Sequence, residues 1–126
     1  MGEEIIGHIS GEGDAAIVTF SKSSVSNVQD ISALAEHIAG YVETNHPRLV
    51  VFDFKNVKFF SSQVLGLLLE TRAAIASYDG RVFISAINPQ LHRVFKITNL
   101  DQVFLFFPDM ESALNASRSH ASDKYH

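Results

Sequence analysis

The run Leu49-Val50-Val51-Phe52 constrains the fold more than any other stretch. Side chains of a strand point alternately to its two faces, so an unbroken apolar run needs cover on both. Pro47 stands just before it and the polar link Lys55-Asn56-Val57-Lys58 just after. Those breaks make it too short for a buried helix, and it reads as a central strand over Leu49 to Phe54. A strand of this kind belongs to a sheet with helices on each side.

The neighbouring segments supply those helices. Val28, Ile31, Leu34, Ala35, Ile38, Ala39 and Val42 recur at steps of three and four, which predicts a helix from Val28 to Glu43. Asn27 stands at its N-cap position with Asp30 in the first turn, and His46-Pro47 stops it. A second helix, Val64 to Ala76, is apolar over much of its circumference and should pack heavily, with Leu65, Leu68 and Leu69 against the central strand. Asp79-Gly80 ends it and leads to a strand from Arg81 to Ile87. Asn88-Pro89 then caps a short helix whose apolar side is Leu91, Val94, Phe95 and Ile97, closed by a left-handed Asn99. Val103 to Phe107 reads as a last strand, and Asp109 caps a final helix ending at about Ala116.

Before these come two short strands, one holding Ile5, Ile6 and Ile9, the other running from Ala15 to Phe20. They are separated by Gly11-Glu12-Gly13-Asp14, which predicts a hairpin. Ser21 to Asn27 reads as a polar surface loop. The predicted order is β-β-α-β-α-β-α-β-α, an α/β fold with a mixed, mostly parallel sheet of about five strands and about four helices. One domain over residues 1–116 accounts for the pattern. Residues 117–126 are polar and read as a frayed, disordered tail.

Composition narrows the function. The 10 Lys and Arg against 14 Asp and Glu give a net charge of −4, the wrong sign for a general nucleic-acid binder. Without cysteine there is neither a disulfide framework nor thiolate chemistry, and the cytoplasm is the simplest compartment. No apolar run approaches the roughly 20 residues of a membrane span, and Met1-Gly2-Glu3-Glu4 lacks the basic start of a signal peptide. Ile6 stands where a myristoylation motif wants Ser or Thr.

Chemistry-bearing motifs are few. The chain has no Gly-x-Ser-x-Gly elbow, no P-loop and no Gly-x-Gly-x-x-Gly. The six histidines, His8, His37, His46, His92, His120 and His126, lack metal-site spacing, and no cofactor is implied. Asp53 ends a strand, as does the phosphorylated Asp of a response-regulator receiver. A receiver also needs an acidic pair after its first strand to hold Mg²⁺. Here the acids of Gly11-Glu12-Gly13-Asp14 sit in a hairpin turn, so Asp53 is expected to accept backbone N–H groups of the following turn instead. Phe104, Phe106 and Phe107 could wall a small-ligand site, although alternate residues of such a strand are ordinarily core.

What remains is Phe59-Phe60-Ser61-Ser62-Gln63, where two hydroxyls meet a helix start. Serine is favoured there as a cap, its oxygen accepting an orphan N–H, and negative charge is favoured there by the helix dipole. Ser61 is the expected cap, with its oxygen turned to the N–H of Gln63 or Val64. Ser62 is expected to reach solvent.

The order of elements, together with Asp53-Phe54-Lys55-Asn56-Val57-Lys58-Phe59-Phe60-Ser61-Ser62-Gln63-Val64-Leu65-Gly66-Leu67-Leu68, resembles the STAS family, the sulfate-transporter and anti-sigma-factor-antagonist domains. Phe95-Lys96-Ile97-Thr98-Asn99-Leu100-Asp101-Gln102-Val103-Phe104 and Glu111-Ser112-Ala113-Leu114 are similar to the family's ending. The resemblance covers roughly residues 5 to 116. It implies a STAS-like fold and a non-enzymatic cytoplasmic switch of the anti-sigma factor antagonist type. The implied partners are an anti-sigma factor or serine protein kinase and a phosphatase, with no nucleic acid and no membrane, in a monomer or weak dimer. Ser62 matches the serine that family members phosphorylate. The resemblance places partner contacts on Ser61, Ser62, Gln63, Lys55, Asn56, Ser23 and Ser24. Two positions depart from the pattern: Ser61 stands where the family often has Asp, and Val64 where it often has Gly. The alternative reading is an interaction module in a larger signalling assembly, without phosphorylation.

Overall fold

The computed structural model describes the backbone of residues 6–123 and the side chains of residues 6–117. Ile5, Tyr125, His126 and the side chain of His120 lie outside the described residues. Strands β1 (Gly7–Glu12) and β2 (Ala15–Phe20) form the antiparallel hairpin. Its turn is shorter than the sequence predicts, because Gly11 and Glu12 stay in the ladder opposite Ala16 and Ala15. Only Gly13 and Asp14 lie outside it, and Gly13 takes φ +62°, which a residue with a side chain resists.

Helix α1 (Val28–Asn45) follows a two-residue strand, β3 (Ser24–Val25), which interrupts the expected loop. Asn27 Oδ1 accepts the Asp30 N–H at 2.9 Å, as its cap position predicts. The helix runs to Asn45 rather than Glu43, and His46 closes it at φ 48° with its N–H on the Val42 carbonyl. Ile31, Leu34, Ile38 and Val42 are buried, while Val28 and Ala39 face outward. β4 (Leu49–Asp53) is the central strand, with Leu49 to Phe52 all buried. A second two-residue strand, β5 (Phe59–Phe60), pairs in parallel with β3. It leads into α2 (Ser62–Ala76), then β6 (Arg81–Ser85), α3 (Pro89–Ile97), a 3-10 turn (Leu100–Gln102), β7 (Leu105–Phe107) and α4 (Met110–Asp123).

The main sheet has the order β1-β2-β4-β6-β7, with every pair after the hairpin parallel. Each crossover steps one strand further in the same direction. Right-handed connections therefore set α1, α2 and α3 on one face. The row Val18, Phe52, Ile84 and Phe106 points to that face and packs with Ile38, Leu68 and Phe95. The next row, Ile17, Val51, Phe83 and Leu105, points the other way. There Leu49, Val51 and Phe83 meet Ala113, Met110 and Leu114 of α4. This is the two-sided cover that the run at Leu49 demands.

Several expected boundaries move. The strand at Arg81 stops at Ser85, since Ala86 takes φ 58° and leaves the extended region. The last strand begins at Leu105 because the 3-10 turn occupies the residues before it. Phe104 is buried, with its ring 6.2 Å from Phe95, and the Phe106 and Phe107 rings lie 5.2 Å and 4.8 Å from Phe95 and Phe83. These phenylalanines are core rather than the walls of a ligand site. Ile97, expected in the core, is 73% exposed at the end of α3, and Leu69 is 38% exposed on α2. α4 extends to Asp123, past the expected end near Ala116. Among the described residues, no helix is long and apolar enough to cross a membrane.

Candidate functional site

The site begins with how the link after β4 is held. Asp53 Oδ1 accepts the Lys55 N–H at 3.0 Å, the turn contact its position predicts. Phe54 donates its N–H to the Ser85 carbonyl at 2.9 Å, and Val57 donates to the Phe54 carbonyl at 3.0 Å. Asn88, whose Oδ1 caps α3 by accepting the Leu91 N–H, uses its Nδ2 to reach the Val57 carbonyl at 3.3 Å. One side chain thereby ties the link to the start of α3, a role its cap signature alone did not disclose.

The link is then stitched to the loop after β2. The Ser23 carbonyl accepts N–H bonds from Lys58 at 2.7 Å and Phe59 at 3.1 Å, and the Ser61 N–H donates to the Val25 carbonyl at 3.0 Å. Beneath, Val25, Phe54, Val57, Phe60 and Val64 are buried. The Phe54 and Phe60 rings are 5.8 Å apart, and Phe60 meets Phe95 edge-on at 5.9 Å. Alternation along β5 sends Phe60 inward and leaves Phe59 54% exposed beside Ser24. The sequence reading of Ser21 to Asn27 as a plain loop missed this parallel ribbon. Two residues on each strand leave no periodicity to detect.

On this base, Ser61 and Ser62 separate. Ser61 occupies the cap position of α2 at φ −88° and ψ 167°, and its carbonyl accepts the Val64 N–H at 3.0 Å. Its side chain makes no capping bond, contrary to expectation. The Ser61 hydroxyl oxygen is buried and has no hydrogen-bond partner. The ribbon bond from Ser61 N–H to Val25 fixes the backbone here, and the side chain follows the backbone inward. Ser62 is the first residue of α2 and is exposed.

The ribbon gathers the other sequence-predicted contact residues around it. Ser23, Ser24, Lys55, Asn56 and Gln63 are all exposed at the same end of the sheet, where β2 and β4 finish. The electrostatics of the helix start are uncompensated. α1 and α4 carry Asp30 and Glu111 in their first turns, but α2 has no acid there. Its free N–H groups carry partial positive charge with nothing built in to meet it. Among the described residues, no group of three or more His, Asp or Glu could hold a metal ion.

Comparison with known proteins agrees with this geometry. A STAS-domain containing protein of Pseudomonas aeruginosa is 28% identical over 58 residues, a match spanning 46% of this chain and 57% of that protein's length. An anti-sigma factor antagonist from Mycobacterium paratuberculosis superposes with a TM-score of 0.75 at 25% identity, covering 89% of this chain and 92% of its own. The Bacillus cell fate determinant SpoIIAA in its phosphorylated form gives a TM-score of 0.71 at 15% identity, over 88% of this chain and 98% of that one. SpoIIAA in its unphosphorylated form gives 0.71 as well, over 89% and 97%. The STAS domain family model matches residues 5–113, and so this chain, with its antiparallel hairpin, its parallel sheet and its serine-headed α2, belongs to the STAS family.

Proposed function

We propose that this protein is a non-enzymatic, cytoplasmic regulatory switch of the anti-sigma factor antagonist type. It binds an anti-sigma factor or a serine protein kinase, and phosphorylation of Ser62 ends the binding. A phosphatase resets it. The observation that carries this reading is the exposed Ser62 hydroxyl at the first position of a helix whose start holds no acid. A phosphoserine adds about −1.5 to −2 charges at neutral pH. At the start of α2 the fold accepts that charge, at a gain of roughly 0.3 to 1 kcal/mol. A partner seated over the same spot must desolvate or repel it, which costs several kcal/mol. The fold persists and the complex dissociates.

Ser23, Ser24, Lys55, Asn56, Ser61 and Gln63 complete the contact surface in this reading. Phe59 joins them as its apolar anchor, because an exposed aromatic beside fixed polar groups suits an interface centre. The resemblance of the fold to SpoIIAA, solved both with and without phosphate, supports the choice of regulation. The test uses Ser62→Asp and Ser62→Ala, a thermal melt, and titration against a partner captured from the native cell. Both variants should melt near the parent. Ser62→Asp should bind at least about tenfold more weakly, a loss of about 1.4 kcal/mol, and Ser62→Ala should bind normally without acquiring phosphate. If folded Ser62→Asp binds as tightly as the parent, the switch fails at this residue, and an interaction module without phosphorylation becomes the better reading.

A further inference from the structure

α1, α2 and α3 lie side by side over one face of the sheet. The strand order puts α2 in the middle, with α1 on its β2 side and α3 on its β7 side. Charge is sorted across them. α1 carries Asp30, Glu36 and Glu43 and no Lys or Arg. α3 carries Arg93 and Lys96 and no acid, and Asp101, the next acid along the chain, is partly buried in the 3-10 turn. α2 repeats the pattern within itself. Its Glu70 lines the groove against α1, with Ala35 and Ala39. Arg72 stands two residues further on, and at about 100° per residue it turns to the opposite flank, toward α3. Between them the crest of α2 is formed by Ser62, Gly66, Leu69 and Ala73, at steps of four and three, all exposed and uncharged. Leu69 is 38% exposed there, and open space stands where a Gly66 Cβ would be.

An acidic side, an uncharged crest and a basic side make a surface that complements itself. A two-fold axis along α2 lays α1 of one copy over α3 of the other, twice, and brings Glu70 to Arg72 across the crest. A two-fold axis across the helices would stack α1 on α1 and α3 on α3, like charge on like, so the order of charge selects the first. That axis leaves heights along the helices unchanged. At 1.5 Å of rise per residue, Glu36, Leu69, Glu70 and Lys96 each lie about 10 to 12 Å from the first residue of their helix. Glu36 therefore comes level with Lys96 of the second copy, and the two Leu69 side chains meet near the axis. Gly66 and Ala73 are small enough to let the two α2 helices approach. We propose that this helical face binds a second copy of the chain as a two-fold dimer. Three helices about 10 Å wide, sharing a length of about 15 Å, offer roughly 450 Å² per copy against about 800 Å² for a standard interface. The dimer is therefore weak, and its exposed charges make it sensitive to salt. It does not depend on the switch reading of Ser62.

The test is sedimentation velocity of the full chain over a wide range of concentration, at low and at high sodium chloride. A monomer–dimer equilibrium is expected at low salt, weakened by about tenfold or more at high salt. Glu36→Lys with Glu70→Lys, and separately Arg72→Glu with Lys96→Glu, should each weaken self-association by about tenfold or more. Leu69→Lys should do the same by placing two like charges at the axis. All five residues are exposed, so each variant should melt near the parent. Mixing the two charge-reversed variants should restore a dimer, because their altered flanks complement each other. A chain that stays monomeric at low salt, a dimer indifferent to salt, folded variants that associate as the parent does, no recovery in the mixture, or growth into longer assemblies would each overturn the proposal.

Discussion

At the scale of single residues, four helix starts place a capping side chain in different circumstances. Asn27, Asn88 and Asp109 each accept an N–H from the residue three positions on, at 2.9, 2.9 and 2.7 Å. The bonds from Ser112 hold the Asp109 carboxyl below the usual carboxylate range. Ser61 has the position without the bond, since its backbone is committed to Val25 and its hydroxyl is turned inside without a partner. An orphan buried hydroxyl is costly to keep, so removing it takes away little that stabilises. Chemical denaturation should accordingly show Ser61→Ala within about 0.5 kcal/mol of the parent. Asn27→Ala should lose about 0.5 to 2 kcal/mol, as loss of a working cap does. Equal losses at the two positions would mean that Ser61 caps α2 in solution. The unsatisfied Ser85 hydroxyl, on a residue 0% exposed in the middle of the sheet, is of the same kind.

At the scale of elements, α2 shows how composition and burial part company. Val64 to Ala76 reads as apolar nearly all round, yet only one stripe is buried: Val64, Leu67, Leu68, Thr71 and Ile75. Thr71 belongs to it because its hydroxyl accepts burial by donating to the Leu67 carbonyl at 2.9 Å. Leu68 is 0% exposed and Leu69 38%. Truncation of Leu68 to Ala should cost about 2 to 5 kcal/mol, the usual range for a fully buried leucine. Leu69→Ala should cost well under half of that. Comparable losses in urea melts would place both leucines in the core. The end of α2 is equally specific. Asp79 takes the left-handed φ of 70°, and Gly80 follows because a Cβ there would come within 2.8 Å of the Ile75 side chain and 2.9 Å of its carbonyl oxygen. The Asp79-Gly80 pair was legible as a stop, but the sequence did not show which residue turns and which one must be small.

At the scale of the whole molecule, the sheet is wound in one direction, with three helices on one face and α4 alone on the other. α4 holds that second face through Met110, Ala113, Leu114 and Ala116. Residues beyond Ser117 are polar in sequence and offer little to bury. Deleting Ser119 to His126 should therefore leave the melting temperature nearly unchanged. A large fall would mean that the end of the chain docks on the domain, with Tyr125 as the residue to examine.

The sequence by itself determined the architecture. A four-residue apolar run needs two covered faces, helical spacing on either side supplies the cover, and Asn27, Asn88-Pro89, Asn99 and Asp109 mark element ends through local chemistry that acts within a few residues. The same local chemistry made the Ser61-Ser62 pair visible, and the resemblance to the STAS family singled out Ser62. Tertiary structure alone decided which apolar residues are buried, since Leu69 and Ile97 have the same transfer energetics as Leu68 and Leu91 but face no neighbouring layer. It also decided the ribbon of β3 and β5, because a pairing across more than thirty residues leaves no trace in two-residue strands. That ribbon turns the Ser61 side chain inward and leaves Ser62 facing solvent. β7 starts opposite Phe83 rather than Arg81 for the same reason: the 3-10 turn occupies the residues before it, a long-range fit that no single segment encodes.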